Sequence, residues 1–483
     1  MRDAHQLEQA VGIDHYVSTP DGIGGQLRDE PADFRVRELE TVEPAPVDAD
    51  PGSYPALLCR VELTGWDTND FAARLSDGLG ISRERVSWAG TKDKHAVTTQ
   101  LFTIRDIEPD QLPDIRDAEV SVIGRLGRSL RFGDLAGNAF QIRIREADTD
   151  ARSQIQAITA DLRAFAEADD AAEAQPTGTA YSDDPVDGDD GIQIDTDTPV
   201  EFEHVGRVGV PNYFGQQRFG SYRPVTHEVG LAALRSDWRG AVKAYVANPS
   251  SAEPEASRDA RAFVAAQFEA DTPDWDACLS EVPRRLGFER SMLNELAAAD
   301  TPATPDWRAA LETVPENLQR LFVNAAQSFL FNEILSRRLD QGLPFARPVK
   351  GDRVCFADDD SPTSLSVPDV GRTQSVTADR VSILERHCQR GRAFVTAPLI
   401  GTDTELADGA PGEIERTVLE EADLSPESFD LPDTWASSGT RRAILLETDL
   451  SVGPGPRVRF ALPSGSYATV LLREFLKVEP LDL

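Results

Sequence analysis

Asp93 stands between two lysines in the stretch Ala89-Gly90-Thr91-Lys92-Asp93-Lys94-His95-Ala96-Val97-Thr98-Thr99-Gln100. Lysine is scarce in this chain. Five of the 49 basic residues are lysine, at 92, 94, 243, 350 and 477, and the rest are arginine. Two of those five flank one carboxylate. Neighbouring cations favour the charged form of an acid, and an ionised carboxylate can act as a nucleophile. The same triplet also describes an exposed charged turn, since adjacent unlike charges gain little in water. A second stretch with chemical content is Gly209-Val210-Pro211-Asn212-Tyr213-Phe214-Gly215-Gln216-Gln217-Arg218-Phe219-Gly220. Its glycines, aromatics and amides can stack on and hydrogen-bond a flat ring, or simply pack as a turn between domains.

The elements that hold these residues follow from periodicity. A strand-like alternation begins at Asp33-Phe34-Arg35-Val36, and Ala56 to Leu63 reads as a half-buried strand. A helix follows, capped by Asp67 or Thr68, with Phe71, Leu75 and Leu79 at four-residue spacing. Val86 to Trp88 and Thr99 to Ile104 read as strands on either side of the Lys-Asp-Lys turn. A turn held by two strands is a rigid seat for a catalytic group. Phe140, Ile142 and Ile144 alternate with Gln141, Arg143 and Arg145. That arginine row can meet phosphate or can be the wet face of a sheet. Ile155, Ile158, Leu162 and Phe165 form a helical stripe, residues 227–300 read as helices, and Val323 to Leu339 is a strong helix ended by Gly342. Residues 350–400 are strand-rich. Arg457 to Leu462 alternates and turns through Ser464-Gly465-Ser466 into a helix carrying Tyr467, Leu471 and Phe475.

Composition narrows the class. The 83 acidic residues give a net charge of −34. Such a charge opposes compaction through self-repulsion. At molar salt the Debye length falls to about 3 Å and the repulsion is muted, so the chain is expected to be halophilic. An acidic chain lacks the basic footprint usual in nucleic-acid binding. High salt weakens that footprint for any protein, which leaves stacking, hydrogen bonds and shape for recognising RNA. Residues 167–198 form an acidic, small-residue insertion. Its acid cluster from Asp183 misses the calcium-loop pattern, with Pro185 at the third position and Ile194 at the twelfth. Cys59, Cys278, Cys355 and Cys388 show no paired spacing and read as reduced packing residues. No signal peptide or membrane-length apolar run is visible, so a cytoplasmic protein without membrane contact is expected. Gly90-Thr91-Lys92 lacks the order of a phosphate-binding loop. No histidine triad is spaced out in the sequence, and His95 reads as a turn residue or a supporting group.

Four segments in order resemble the TruD family of tRNA pseudouridine synthases. They are Asp33-Phe34-x-Val36, the block from Ala89 to Gln100, the block from Pro211 to Gly220, and the helix Asn324-Ala325-Ala326-Gln327-Ser328-x-Leu330-Phe331-Asn332. Gly137-Asn138-Ala139-Phe140 and Leu462-Pro463-Ser464-Gly465-Ser466-Tyr467-Ala468-Thr469 are similar to further family elements. The likeness covers about residues 7 to 480. It implies a mixed α/β fold. A catalytic domain with a large, mostly antiparallel sheet is expected over 1–210 and 433–483, with a second α/β module, the TRUD domain, inserted over 211–432. It implies isomerisation of uridine to pseudouridine in tRNA, at position 13, with no cofactor, no metal and a monomeric enzyme. Asp93 maps onto the nucleophile. Asn212 and Phe214 map near the base, with Phe214 a stacking platform whose loss should hurt rate more than fold. Phe34 maps onto an aromatic of the site. Lys92, Arg218 and Gln327 are expected at the RNA, with either Lys92 or Lys94 tuning Asp93 or meeting a phosphate. Asn212 holds the uracil edge or orients Asp93. Other RNA targets, or a non-catalytic RNA-binding or tRNA-folding protein on the same scaffold, are the alternatives.

Overall fold

Two short strands pair at the N-terminus, β1 (Arg2–Asp3) and β2 (His15–Tyr16), and the strands of a large sheet follow. These are β3 (Phe34–Glu40), β4 (Ala56–Thr64), β5 (Val86–Trp88), β6 (Val97–Arg105), β7 (Ala118–Leu126), β8 (Leu135–Arg143) and β9 (Glu203–Pro211). A four-stranded sheet follows, from β10 (Arg353–Ala357), β11 (Pro368–Ser375), β12 (Ala393–Leu399) and β13 (Thr440–Ala443). The chain then re-enters the large sheet with β14 (Leu445–Gly453) and β15 (Arg457–Pro463). The computed structural model describes residues 1–167, 201–220, 222–299, 306–358 and 365–482. Almost all of the acidic insertion, with its aspartate cluster, lies outside the described residues.

The large sheet has the order β7-β4-β6-β3-β8-β15-β14-β9, with β5 on β6. The pair β3–β6 is parallel and its other pairs are antiparallel. Register places Phe34 opposite Ile142, Val36 opposite Phe140, and Phe140 opposite Phe460. These side chains enter one core, which the helices Ala151–Ala166 and Ala468–Leu476 complete with Ile155, Ile158, Leu162, Leu471 and Phe475. Each such side chain, once buried, contributes about 1.5–3 kcal/mol. A separate cluster around Phe71, Leu75, Val86 and Phe102 seats the helix Thr68–Leu79 on β4, β5 and β6. The Asp67 carboxylate accepts the amides of Asn69 and Asp70 at its start, and Gly80, at φ 66°, closes its end. That helix and those strands form the base of the Lys-Asp-Lys turn.

Thr440–Ala443 pairs with Ala397, Pro398 and their neighbours on β12. The indole of Trp435 stacks on Phe322, 6.3 Å away. Residues 440–443 therefore belong to the four-stranded sheet, and the chain rejoins the large sheet at Leu445. Trp435 is an aromatic core residue, and no local pattern marks which core it joins. The helix Glu316–Asp340 starts earlier than its apolar stripe, directly after Pro315 at its N-cap. Among the described residues no helix is long and apolar enough to cross a membrane. Cys59, Cys278 and Cys355 are buried, and burial pushes their thiols up to about 12.

His227 supplies a pH test of this core. Its ring stacks on Phe329 at 4.8 Å and meets the edge of Phe219 at 5.2 Å. Burial pushes its pKa down to about 4, against a smaller opposing effect of the Ala10 backbone. The folded pKa lies below the unfolded value of about 6.5. The stabilisation is therefore complete above that value and is lost as pH falls toward 4. Melting of wild type and His227→Phe between pH 5 and 7.5 is expected to show the wild type losing stability on the acid side and the variant losing less. Parallel curves would contradict the assignment.

Candidate active site

The Asp93 turn runs from Ala89 to Ala96 between antiparallel β5 and β6. Backbone ties fix it at both ends. The Gly133 amide donates to the Ala89 carbonyl at 2.7 Å, and the Gly65 amide donates to Ala96 at 3.1 Å. In the middle, the Lys92 amide donates to the Thr68 hydroxyl at 2.9 Å. The Lys92 side chain turns inward. Its Nζ lies 2.6 Å from Glu38 Oε1, and Glu38 Oε2 accepts the Leu101 amide at 2.9 Å. Desolvation raises the Glu38 pKa, and Lys92 opposes that rise. Lys92 is thus neither the cation beside Asp93 nor placed to meet RNA. It anchors the turn to β3 and β6. The Lys92 side chain is buried and the Asp93 side chain exposed, so the two neighbours point apart.

Asp93 is 59% exposed, and its partner is Arg28. Arg28 Nη2 donates to Asp93 Oδ2 at 3.1 Å. The guanidinium sits 4.1 Å over the ring of Phe34, which is only 2% exposed. Phe34 is therefore the floor under Arg28. An exposed pair of this kind is worth about 1 kcal/mol or less, so its consequence is orientation rather than stability. Lys94 and His95 are exposed. Arg28 escaped sequence reading because it lies in a stretch without periodicity, 65 residues from its partner.

The second cluster forms where β9 ends. The Asn212 amide donates to Ile444 at 2.7 Å, and its side-chain Nδ2 donates to Ala443 at 2.8 Å. Arg442 completes it, donating to Asn212 Oδ1 at 2.6 Å, to Asn212 O at 3.2 Å and to Gly465 O at 3.0 Å. The backbone of Phe214 is clamped by Asn332, which accepts its amide at 2.8 Å and donates to its carbonyl at 3.0 Å. The ring is 7% exposed, edge-on to Phe331 and Tyr467, with Arg442 4.3 Å from its centre. Arg218 donates to Ser328 Oγ at 3.2 Å and lies 5.9 Å from the same ring. The turn ends at Gly220, φ 113°, where a Cβ would fall 2.5 Å from the Arg223 carbonyl.

Two expectations change here. Gln327 donates to Ile400 O at 2.6 Å and Ser437 Oγ at 2.9 Å, so it knits its helix to the segments around β12 instead of reaching RNA. Phe214 is a core ring capped by a guanidinium, because Asn332 and Phe331 draw it inward. Phe214→Ala is therefore expected to cost about 3 kcal/mol of stability together with activity, read by denaturant unfolding and turnover on one preparation. Lost turnover with unchanged stability would restore the platform role.

A cleft of about 680 Å³ lies between the large sheet and the four-stranded sheet. Glu38, Asn212, Arg442, Ser464 and Ser466 are among its lining. Its volume is that of a small-ligand site. Asp93 lies outside that lining but is attached to it through Lys92 and Glu38. The sequence missed Arg442 because its partners, Asn212 and Gly465, are remote in the chain.

The family model for tRNA pseudouridine synthase D (TruD) matches residues 10–177 and 186–475. A Halobacterium salinarum protein named probable tRNA pseudouridine synthase D is 53% identical over 484 residues, covering 100% of both chains. A relative of the same name from Natronomonas pharaonis is 51% identical, covering 99% of each. The crystal structure of a Methanosarcina mazei protein named putative tRNA pseudouridine synthase D (TruD) superposes with a TM-score of 0.79 at 35% identity, covering 100% of both chains.

Proposed function

The chain belongs to the TruD family of tRNA pseudouridine synthases, and from that premise we propose that it converts uridine 13 of tRNA to pseudouridine with Asp93 as nucleophile. The observation that carries this reading is the Arg28–Asp93 pair on a turn braced by buried Lys92. The carboxylate is reachable, and its direction is set by a cation resting on Phe34. The proposed chain organisation has residues 1–210 and the C-terminal strands and helix as the catalytic part, and the segment between as the inserted module.

The reaction breaks the bond from ribose C1′ to uracil N1 and joins C1′ to C5. The C5 proton is lost and N1 gains one, so substrate and product are isomers. Asp93 attacks C1′, or takes a proton at C2′ while the base departs. Both routes need one ionised carboxylate at the sugar. Arg28 holds that carboxylate in place through the approach. Extruding the target base costs a few kcal/mol, which contacts along the cleft must offset. Arg442 and Asn212, held rigid by each other, are the candidates for those contacts. The test is tritium release from tRNA carrying 5-³H-uridine, in molar KCl. Release by the wild type is expected, and a protein that binds this tRNA yet releases nothing would leave only an RNA-binding role.

A further inference from the structure

Two guanidinium groups flank the Phe214 ring, Arg442 and Arg218. Their hydrogen bonds go to neutral oxygens, of Asn212 and Gly465 for Arg442 and of Ser328 for Arg218. Among the described residues neither has a carboxylate within ion-pair distance. Both are half-buried, whereas fully buried arginines here do have one. Arg473 meets Glu8, Arg338 meets Asp352, and Arg261 meets Glu289.

A guanidinium taken out of water without an anion is costly. Burial pushes the Arg442 pKa down to about 10, and the Arg218 charge adds to that effect. Three of the five N–H groups of Arg442 are bound to neutral acceptors, which fixes the plane of the group. The other two have no acceptor among the described residues. Arg442 also lines the cleft. A planar fork held open toward a cleft matches a phosphate oxygen pair.

We propose that Arg442 and Arg218 form a phosphate clamp, in which Arg442, on the cleft lining, takes a phosphodiester of the entering RNA strand and Arg218 adds its charge. The proposal rests on the reading that the substrate is RNA. The clamp supplies charge at one point, where the acidic surface of the chain repels the RNA backbone. Arg442 is a binding residue, and Asn212 positions it.

The test is the dissociation constant of an unmodified tRNA transcript measured against KCl concentration, for wild type, Arg442→Gln, Arg442→Lys and Arg218→Gln. Tritium release is followed in parallel. Arg442→Gln is expected to bind about tenfold more weakly at the lowest salt and to lose up to about 0.7–0.9 from the log–log salt slope, the contribution of one phosphate, and Arg218→Gln to lose a part of the same amount. The rate of each at saturating RNA should fall less than its affinity. Arg442→Lys keeps the charge and should keep most of the slope. Melting curves show whether Arg442→Gln remains folded. If it does not, Arg218→Gln decides, since its side chain holds no comparable web of contacts. Wild-type slope and affinity in the folded Gln variants would overturn the clamp. Absence of tritium release by the wild type would overturn the catalytic reading instead, and the slopes would still decide the clamp.

Discussion

Asp93→Asn is expected to lower pseudouridine formation by about four to six orders of magnitude, the scale seen when a catalytic nucleophile is removed. Its folding should change little. The carboxylate is 59% exposed and its ion pair with Arg28 is worth about 1 kcal/mol or less. The melting temperature should therefore move by no more than about 4 °C. A neutral amide keeps the shape and can still accept from Arg28, but it cannot supply the charged oxygen that attack at C1′ needs. Single-turnover assays with saturating tRNA separate this from weak binding. Rate loss below about tenfold, or a large loss of stability, would remove Asp93 from the role assigned to it.

Lys92→Met should do the reverse and act first on the fold. It strands Glu38, 2% exposed, with the Leu101 amide as its remaining partner among the described residues. Breaking a buried pair from one side costs about 3–5 kcal/mol. Denaturant unfolding in molar KCl reads this directly. Desolvation already raises the Glu38 pKa, and loss of Lys92 raises it further. A carboxyl whose folded pKa is raised contributes stability below its unfolded value, which is lost as pH rises through the folded one. The variant's deficit should therefore be larger at pH 7 than at pH 5. Adding Glu38→Leu should recover most of the loss, since a well-packed apolar pair often equals a buried ionic one. A single variant within 1 kcal/mol of wild type would show that the turn does not depend on this pair.

The two predictions mark what sequence can and cannot carry. Alternation at Phe34–Val36, Phe140–Ile144 and Val458–Leu462 was enough to place strands, because one buried face imposes a period of two. The Asp93 turn was legible as a turn for the same reason, with strands on both sides. Which neighbour faced Asp93 was not legible. The lysines adjacent in sequence were the natural choice, yet Lys92 pairs with Glu38 on β3 and Arg28 comes from a loop without pattern. Gln327 and Phe214 belong to segments that resemble the family, but a segment match does not say which side chains turn inward. Gln327 is used by Ile400 and Ser437, and Phe214 by Phe331 and Asn332. Arg442 sits in an Arg-Arg pair with no local sign of its Asn212 partner 230 residues away. Such long-range polar ties are set by tertiary packing, and periodicity holds no trace of them.

The central claim is that Asp93 performs chemistry on a tRNA uridine. Its most direct test is nucleotide-resolved pseudouridine mapping of a tRNA transcript incubated in molar KCl with wild type or Asp93→Asn. Pseudouridine at position 13 with the wild type alone is the predicted result. The same modification made by both proteins, or none made by either, would contradict it.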